Sequence, residues 1–403
     1  MSNRKRILFI SHHGTLSGAP ISLLTLMKYY AAHRDWEFLI VMRKDGPLRA
    51  EFNKLGPTHV YYQHFLDPAD MRPEGAKLPP LPEDVRARKF RQWRHERRIR
   101  QLVKDFKPDL IYSNTTVNGD ILSKLNLKTP VLVHVRELWT TFSLYNEVQL
   151  AAFRRTDYRY FTVSEFVRNY IEKEFSIPRE RIGVVPGSLE PEVFDEKAKE
   201  LSLPQMRKEL SLPEDAVVIG GIGSVDSRKG VDYFVDAAID VLSKAGAGQP
   251  LYFVWIGDGG MRDDMLKKAA DAGFKGRILF PGMRKNPYPY LQLFDIGLMT
   301  SRDDPFPRSV MEMAAFGAPV ICFRESGGAA EFVEDDAGIV LDHCDSGDMA
   351  DAIRALLADK AQKTQLGIAA RRKARENYRT TVIGERAVGL LDDILASGQG
   401  PNT

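Results

Sequence analysis

The stretch Ser301-Arg302-Asp303-Asp304-Pro305-Phe306-Pro307-Arg308-Ser309-Val310-Met311-Glu312-Met313-Ala314-Ala315-Phe316-Gly317-Ala318-Pro319-Val320-Ile321 carries the pattern that decides the fold. An apolar run at 296–299 precedes it and another, at 319–323, closes it. Both read as buried strands. Between them, 309–316 has the composition of a helix, and Gly317 followed by Pro319 stops it. The loop ahead of that helix presents a helix N-terminus, where unpaired amides favour an anion such as phosphate. Pro305 and Pro307 carry no amide hydrogen, so Phe306, Arg308 and Ser309 are the donors available there.

The same rhythm runs through the chain. Short apolar runs at 7–10, 37–42, 110–112, 131–135 and 160–163 alternate with helix-compatible stretches. A second set follows at 217–222, 251–256, 278–280, 296–299, 319–323 and 338–340. Alternating strands and helices predict parallel sheets covered on both faces. Between 186 and 215, Pro191, Pro204 and Pro213 interrupt short polar segments. The expected organisation is therefore an N-terminal Rossmann-like domain over 1–188 and a C-terminal one over 189–375. A last helix over 376–403 is expected to return to the first domain. Two such sheets would set their carboxyl-end loops on a shared cleft, where ligands of doubly wound folds bind.

Composition narrows the class. With 403 residues the chain is long enough for two cores, and 43% hydrophobic with 28% charged residues is globular. A net charge of +3 gives no case for a nucleic-acid partner. The only cysteines, Cys322 and Cys344, make no metal spacing or disulfide framework, which predicts a reducing compartment. The basic N-terminus leads into four apolar residues that stop at Ser11-His12-His13-Gly14, too few for a signal peptide. No run approaches a membrane span. The expected location is the cytoplasm.

One segment is strongly basic. Between 86 and 107 lie Arg86, Arg88, Lys89, Arg91, Arg94, Arg97, Arg98, Arg100, Lys104 and Lys107, against Glu96 and Asp105 alone. Ile99, Leu102, Val103 and Phe106 share a helical face, which Phe90 and Trp93 extend less regularly. Two readings stay open: a helix packed on the sheet with a solvated basic face, or a surface for anionic lipid or an anionic acceptor. The second would make the protein peripheral on the inner face of the membrane.

Asp304 and Glu312 flank the phosphate-favouring helix start. Carboxylates beside an anionic ligand suit sugar or ribose hydroxyls. Alone, the pair is equally explained by Asp304 capping the helix and Glu312 on its solvent face. Upstream, Ile219-Gly220-Gly221-Ile222-Gly223-Ser224-Val225-Asp226-Ser227-Arg228-Lys229-Gly230 reads as a strand, a glycine-bearing turn and a basic pair before a helix. Arg228 and Lys229 suit a diphosphate.

Taken together and in order, these pieces resemble glycosyltransferase family 4, retaining enzymes of the GT-B fold. The matching marks are Arg228-Lys229-Gly230, Ile256-Gly257-Asp258-Gly259, Phe280-Pro281-Gly282, the spacing of Asp304 and Glu312, Gly317-Ala318-Pro319-Val320-Ile321 and Ser326-Gly327-Gly328-Ala329-Ala330-Glu331. Leu16-Ser17-Gly18-Ala19-Pro20, Thr162-Val163-Ser164-Glu165-Phe166 and Val184-Val185-Pro186 match more loosely. The resemblance implies transfer of a sugar from a nucleotide-diphosphate sugar to a glycan, lipid-linked or other acceptor, as in polysaccharide biosynthesis. It implies that Lys229, the backbone near Gly18 and Gly223, and the amides around Ser309 hold the diphosphate. Glu312 would hold the ribose, Asp304 the sugar hydroxyls, and the backbone at Met283 would face the base.

Three departures stand out. Ser224 occupies a position where the family usually has arginine, with Arg228 available to compensate. Asp304 is one methylene shorter than the commoner glutamate. A histidine–acid pair of the N-terminal half appears as Arg136-Glu137, with His134 two residues earlier on the same side of a strand. His134, Arg136 and Glu137 are the acceptor-side candidates, although a strand-end histidine is equally read as a satisfied structural one.

A nucleotide-sugar epimerase or hydrolase of the same fold remains an alternative, as does a non-catalytic sugar-nucleotide binder. A nicotinamide oxidoreductase is disfavoured, because the first turn, His12-His13-Gly14-Thr15-Leu16-Ser17-Gly18, lacks the dinucleotide-binding glycine spacing. No cofactor or metal is expected, since no Asp-x-Asp triplet is present. Transfer by this chain should therefore survive EDTA; turnover lost on chelation and restored by Mn²⁺ or Mg²⁺ would contradict that.

Overall fold

A computed structural model describes residues 4–61, 85–125, 129–145, 147–155, 157–246 and 250–397. The chain divides into two compact units. The first comprises Met1–Val163, Arg168–Val185 and Gly384–Thr403, and the second Ser164–Val167 and Pro186–Ile383.

The first unit holds a parallel sheet of β1 (Lys5–Ser11), β2 (Trp36–Met42), β3 (Thr58–Val60), β4 (Leu110–Ser113), β5 (Val131–Val135), β6 (Arg159–Thr162) and β7 (Ile182–Val184). Their order is β3-β2-β1-β4-β5-β6-β7. The second unit holds β8 (Val217–Ile222), β9 (Leu251–Ile256), β10 (Ile278–Gly282), β11 (Ile296–Met299), β12 (Val320–Phe323) and β13 (Gly338–Leu341), ordered β10-β9-β8-β11-β12-β13 and also parallel. Each sheet reverses its direction of growth once, at β1/β4 in the first and at β8/β11 in the second.

Every strand read from the sequence is present, with ends shifted by at most two residues. β3 and β7 were not foreseen. Both are three-residue edge strands, Thr58-His59-Val60 and Ile182-Gly183-Val184, and neither makes an apolar run long enough to stand out.

Apolar runs mark these strands because both faces are covered. In the second unit, Val218, Val254 and Val320 pack into one core with Met311, Met313 and Ala314 of the helix Arg308–Ala315. Their neighbours Ile219, Trp255 and Ile321 enter the opposite core with Phe234 and Val235 of the helix Val231–Lys244. Alternation along a strand sends successive side chains to opposite faces, so a doubly covered strand must be apolar throughout. Gly220 leaves room for an aromatic ring there: a Cβ would sit 2.2 Å from the Phe294 ring.

The basic segment forms the helix Val85–Phe106. Ile99 and Val103 are buried, whereas Arg94, Arg97, Arg98, Arg100 and Lys104 are exposed. Trp93 is 52% exposed, with the Arg97 guanidinium 5.7 Å from its ring centre. The side chains of Arg86, Arg88, Lys89, Phe90 and Arg91 lie outside the described residues.

Gly230 joins the basic pair to the helix Val231–Lys244 in a left-handed conformation (φ 64°), and a Cβ there would meet the Thr300 carbonyl oxygen at 1.9 Å. Gly230→Ala therefore incurs both backbone strain and a clash with main chain. It should lower stability by about 2 kcal/mol or more in urea unfolding. Wild-type stability would show that the Thr300 backbone moves aside freely.

Candidate functional site

In doubly wound sheets, the helices after the two strands flanking the reversal leave on opposite sides, which opens a crevice at the carboxyl ends. In the second unit the loops at that point are 223–230, after β8, and 300–307, after β11. They brace each other. The Arg302 amide donates to the Arg228 carbonyl at 2.9 Å, and the Thr300 hydroxyl to the Lys229 carbonyl at 2.9 Å. The Arg302 guanidinium clamps Asp232 with two bonds of 2.7 and 2.6 Å and lies 4.1 Å from the Tyr233 ring centre. Asp226 accepts from the Lys229 amide at 2.9 Å and from the Ser224 hydroxyl at 2.5 Å.

This bracing brings residues 75 apart in sequence together. Lys229 Nζ stands 2.5 Å from Asp304 Oδ2, in a pair whose side chains are only 15% and 10% exposed. Arg228 Nη1 donates to the Asp303 carbonyl at 2.9 Å and lies 3.9 Å from the same Asp304 oxygen. Two cations thus converge on one carboxylate. Asp304 is itself held by its backbone, its amide donating to the Ser326 carbonyl at 2.7 Å. It does not cap the following helix, whose N-cap is Pro307.

Glu312 lies one turn into that helix and is buried rather than solvent-facing. Its Oε1 accepts from Arg308 Nε at 2.7 Å and from the Tyr288 hydroxyl at 3.3 Å. Burial alone would pull the Arg308 guanidinium down, but the charge of Glu312 and the Tyr288 phenol hold it above its ordinary value. Burial and then the Glu312 charge push Tyr288 up to about 12, so it stays a hydroxyl donor. Phe194 stacks on Tyr288 at 4.5 Å and underlies Arg308 at 5.6 Å. Ser309 is at the helix start, Phe306 stacks on Tyr378 at 5.7 Å, and Met283 is 75% exposed after Gly282 (φ 88°).

The first unit gathers polar groups at its own reversal. Gly18 opens the helix Gly18–His33 in the loop after β1, exposed and with open space around it. His134, on β5, is fully buried with both ring nitrogens engaged: Nδ1 lies 2.6 Å from Tyr112 Oη and 3.2 Å from Arg136 Nη2, and Nε2 lies 3.3 Å from the Val185 carbonyl. Burial, then the Arg136 charge, holds it well below its ordinary pKa, and it is neutral. Glu137 accepts from the Arg136 amide at 2.8 Å and from the Thr116 amide at 3.3 Å. Burial outweighs those bonds and pushes its carboxyl up to about 7.

Comparison with known proteins follows this division. Residues 16–193 match the family described as Glycosyltransferase Family 4, and residues 203–373 match Glycosyl transferases group 1. The chain belongs to glycosyltransferase family 4. Relatives include the lipopolysaccharide core biosynthesis glycosyltransferase LpsE of Rhizobium meliloti (strain 1021), 31% identical over 40% of this chain and 45% of LpsE. Another is the alpha-D-kanosaminyltransferase of Streptomyces kanamyceticus, 22% identical over 58% of this chain and 59% of that protein. The chain spans about half the length of the curated relatives it matches. The crystal structure of Anabaena HepE in complex with UDP shares the fold, with TM-score 0.75, 18% identity and coverage of 96% of this chain and 100% of HepE. That of WaaG, a glycosyltransferase involved in lipopolysaccharide biosynthesis, aligns with TM-score 0.66, 15% identity and coverage of 95% and 99%. The fold is GT-B.

In this family 4 chain, Gly223, Ser224, Arg228, Lys229, Asp304, Phe306, Arg308, Ser309 and Glu312 all lie in loops or helix starts beside β8 and β11. Gly18, His134, Arg136 and Glu137 belong to the other unit. Sequence reasoning missed Tyr288 on Glu312, the Arg302–Asp232 clamp, and the Tyr112, Asn114 and Thr116 contacts around Arg136-Glu137. No short motif marks them. Among the described residues no cluster suited to a metal is present, and no helix is long and apolar enough to cross a membrane.

Glu137 makes stability depend on pH. Its folded pKa lies above the ordinary 4.5, so its contribution is complete below about 4.5 and is lost as pH rises through about 7. Glu137→Gln keeps an oxygen for both amides and removes the titration. The variant should gain on wild type from pH 5 to 8, by up to about 3 kcal/mol. Parallel melting-temperature profiles for the two proteins would contradict this.

Proposed function

We propose that this chain is a retaining glycosyltransferase that moves a sugar from a nucleotide-diphosphate sugar to a glycan or lipid-linked acceptor. The observation that carries the reading is the convergence of Lys229 and Arg228 on Asp304, with Glu312 one helical turn beyond the same loop. A cation pair, a helix start and two carboxylates at one sheet reversal match a ligand with a diphosphate and two sets of hydroxyls. A uridine donor is favoured by the UDP and UDP-glucose complexes of HepE. The lipopolysaccharide roles of LpsE and WaaG favour a surface-glycan acceptor. The exposed Arg94, Arg97, Arg98, Arg100 and Lys104 suit attachment to an anionic membrane that displays such an acceptor.

Asp304 holds Lys229 before the donor arrives, and the diphosphate oxygens compete for that ammonium group. Asp304 is then left to accept bonds from sugar hydroxyls. Glu312 keeps Oε1 on Arg308 and Tyr288 and offers Oε2 to the ribose. As the bond from the anomeric carbon to phosphate oxygen breaks, its electron pair stays on the phosphate, where Lys229, Arg228 and the amides near Ser309 stabilise it. The acceptor oxygen bonds the same face of the anomeric carbon, and its proton passes to the leaving phosphate. Arg228 stands in for the arginine that Ser224 replaces.

Among UDP, GDP and ADP, UDP should raise the melting temperature most, since a ligand at 100 times its Kd adds about 2.7 kcal/mol. Lys229→Ala should bind UDP more weakly and lower kcat/KM by at least ~100-fold. A comparable loss in Arg228→Ala would confirm its substitution for the missing arginine. Glu312→Gln should chiefly weaken UDP binding, and Asp304→Asn should chiefly slow turnover. A folded Lys229→Ala protein with wild-type UDP affinity would overturn the assignment.

A further inference from the structure

The carboxyl ends of β1, β4 and β5, adjacent in the first unit, carry His12, Asn114 and Arg136. Arg136 is a cation with neutral partners. Nε donates to Asn114 Oδ1 at 3.1 Å and Nη2 approaches His134 Nδ1 at 3.2 Å. Among the described residues it has no ion pair with a carboxylate. The adjacent acid, Glu137, is turned away, with its oxygen on two backbone amides. Arg136 is partly buried, with the Tyr112 and Tyr30 phenols beside its guanidinium.

Its surroundings are also incomplete. His12 Nδ1 is buried without a hydrogen-bond partner, and so is the Thr115 hydroxyl in the loop after β4, on a residue 2% exposed. Arg43, at the end of β2, is 5% exposed, and its Nη1 donates to the Val117 carbonyl at 2.5 Å. Burial first, then interaction with His13, Arg43 and Arg136, pushes His12 down to about 3, so it is neutral. Burial pulls the Arg136 guanidinium below its ordinary pKa despite the nearby Tyr112 and Glu137, and each buried polar atom without a partner costs about 1–3 kcal/mol. An anion with several acceptor oxygens offers such groups partners, and guanidinium geometry suits phosphate or carboxylate.

We infer that Arg136, with His12 and Thr115, forms a subsite for a phosphate or carboxylate group carried by the acceptor. The inference rests on the proposed transferase reading and deepens it, making this an enzyme for an anionic acceptor. The donor has its own cations, Lys229 and Arg228, in the other unit. The guanidinium edge fixes the anionic end of the acceptor and thereby restricts which hydroxyl can be glycosylated.

The test uses the full chain and inorganic phosphate, titrated calorimetrically with saturating UDP present and again in Lys229→Ala, where the donor site is disabled. Phosphate should bind in both settings, and Arg136→Met should weaken that binding at least 10-fold, with Arg136→Lys intermediate. In wild type, the His12 imidazole NMR signals should move toward the protonated position when phosphate is added with UDP saturating, an observation that needs no variant. Unchanged phosphate affinity in folded Arg136→Met, or an unmoved His12 signal, overturns the subsite. Displacement of all phosphate by UDP also overturns it, by giving Arg136 to the donor. Failure of UDP to bind wild type would sink the transferase reading alone, because phosphate binding in Lys229→Ala still reports on Arg136.

Discussion

Parallel strands cannot be joined by tight turns, so each sheet is built by helical crossovers, and each reverses its direction of growth once, at β1/β4 and at β8/β11. That reversal is the constraint from which the functional geometry follows. On either side of it the loops diverge, and the carboxyl ends of two adjacent strands open to a ligand. In the second unit this places the Lys229 loop against the Asp304 loop. In the first unit it gathers His12, Asn114 and Arg136. Both polar collections sit where the topology withholds a covering helix.

The two collections are balanced differently. At β8/β11 the charges are matched within the protein: Lys229 and Arg228 face Asp304, and Arg308 faces Glu312. Such pairs keep a partly buried site tolerable. Tyr288 and Phe194 then hold the Arg308–Glu312 pair in one geometry by packing, so that Glu312 need not reorganise. At β1/β4 the balance is missing. Arg136 has amide and imidazole neighbours in place of a carboxylate, while Glu137 is spent on backbone amides.

Much of this was legible beforehand. Doubly covered strands must be apolar on both faces, so runs such as 217–222 and 251–256 announced themselves, as did the helix between Pro307 and Gly317. The edge strands β3 and β7 did not, since three residues give no periodicity. Lys229, Asp304 and Glu312 were singled out by the family resemblance, since spacing alone left Asp304 and Glu312 equally open to a cap and a solvent-face reading. Whether Arg228 points toward or away from Lys229 was not recoverable; it depends on the Asp303 carbonyl, 75 residues on, being within reach.

The sequence by itself determined the alternation of strands and helices and the glycine, basic and acidic residues that flank the second reversal. Each of these is written in a short window, by periodicity, turn chemistry or residue type. Only the tertiary structure decided which charges meet. Lys229 pairs with Asp304 across 75 residues, Tyr288 reaches Glu312 across 24, and Arg136 finds Asn114 and His134 instead of a carboxylate. Those pairings arise from strand order. Sequence distance carries no information about which strands become neighbours, and burial then sets the pKa values that no composition reveals.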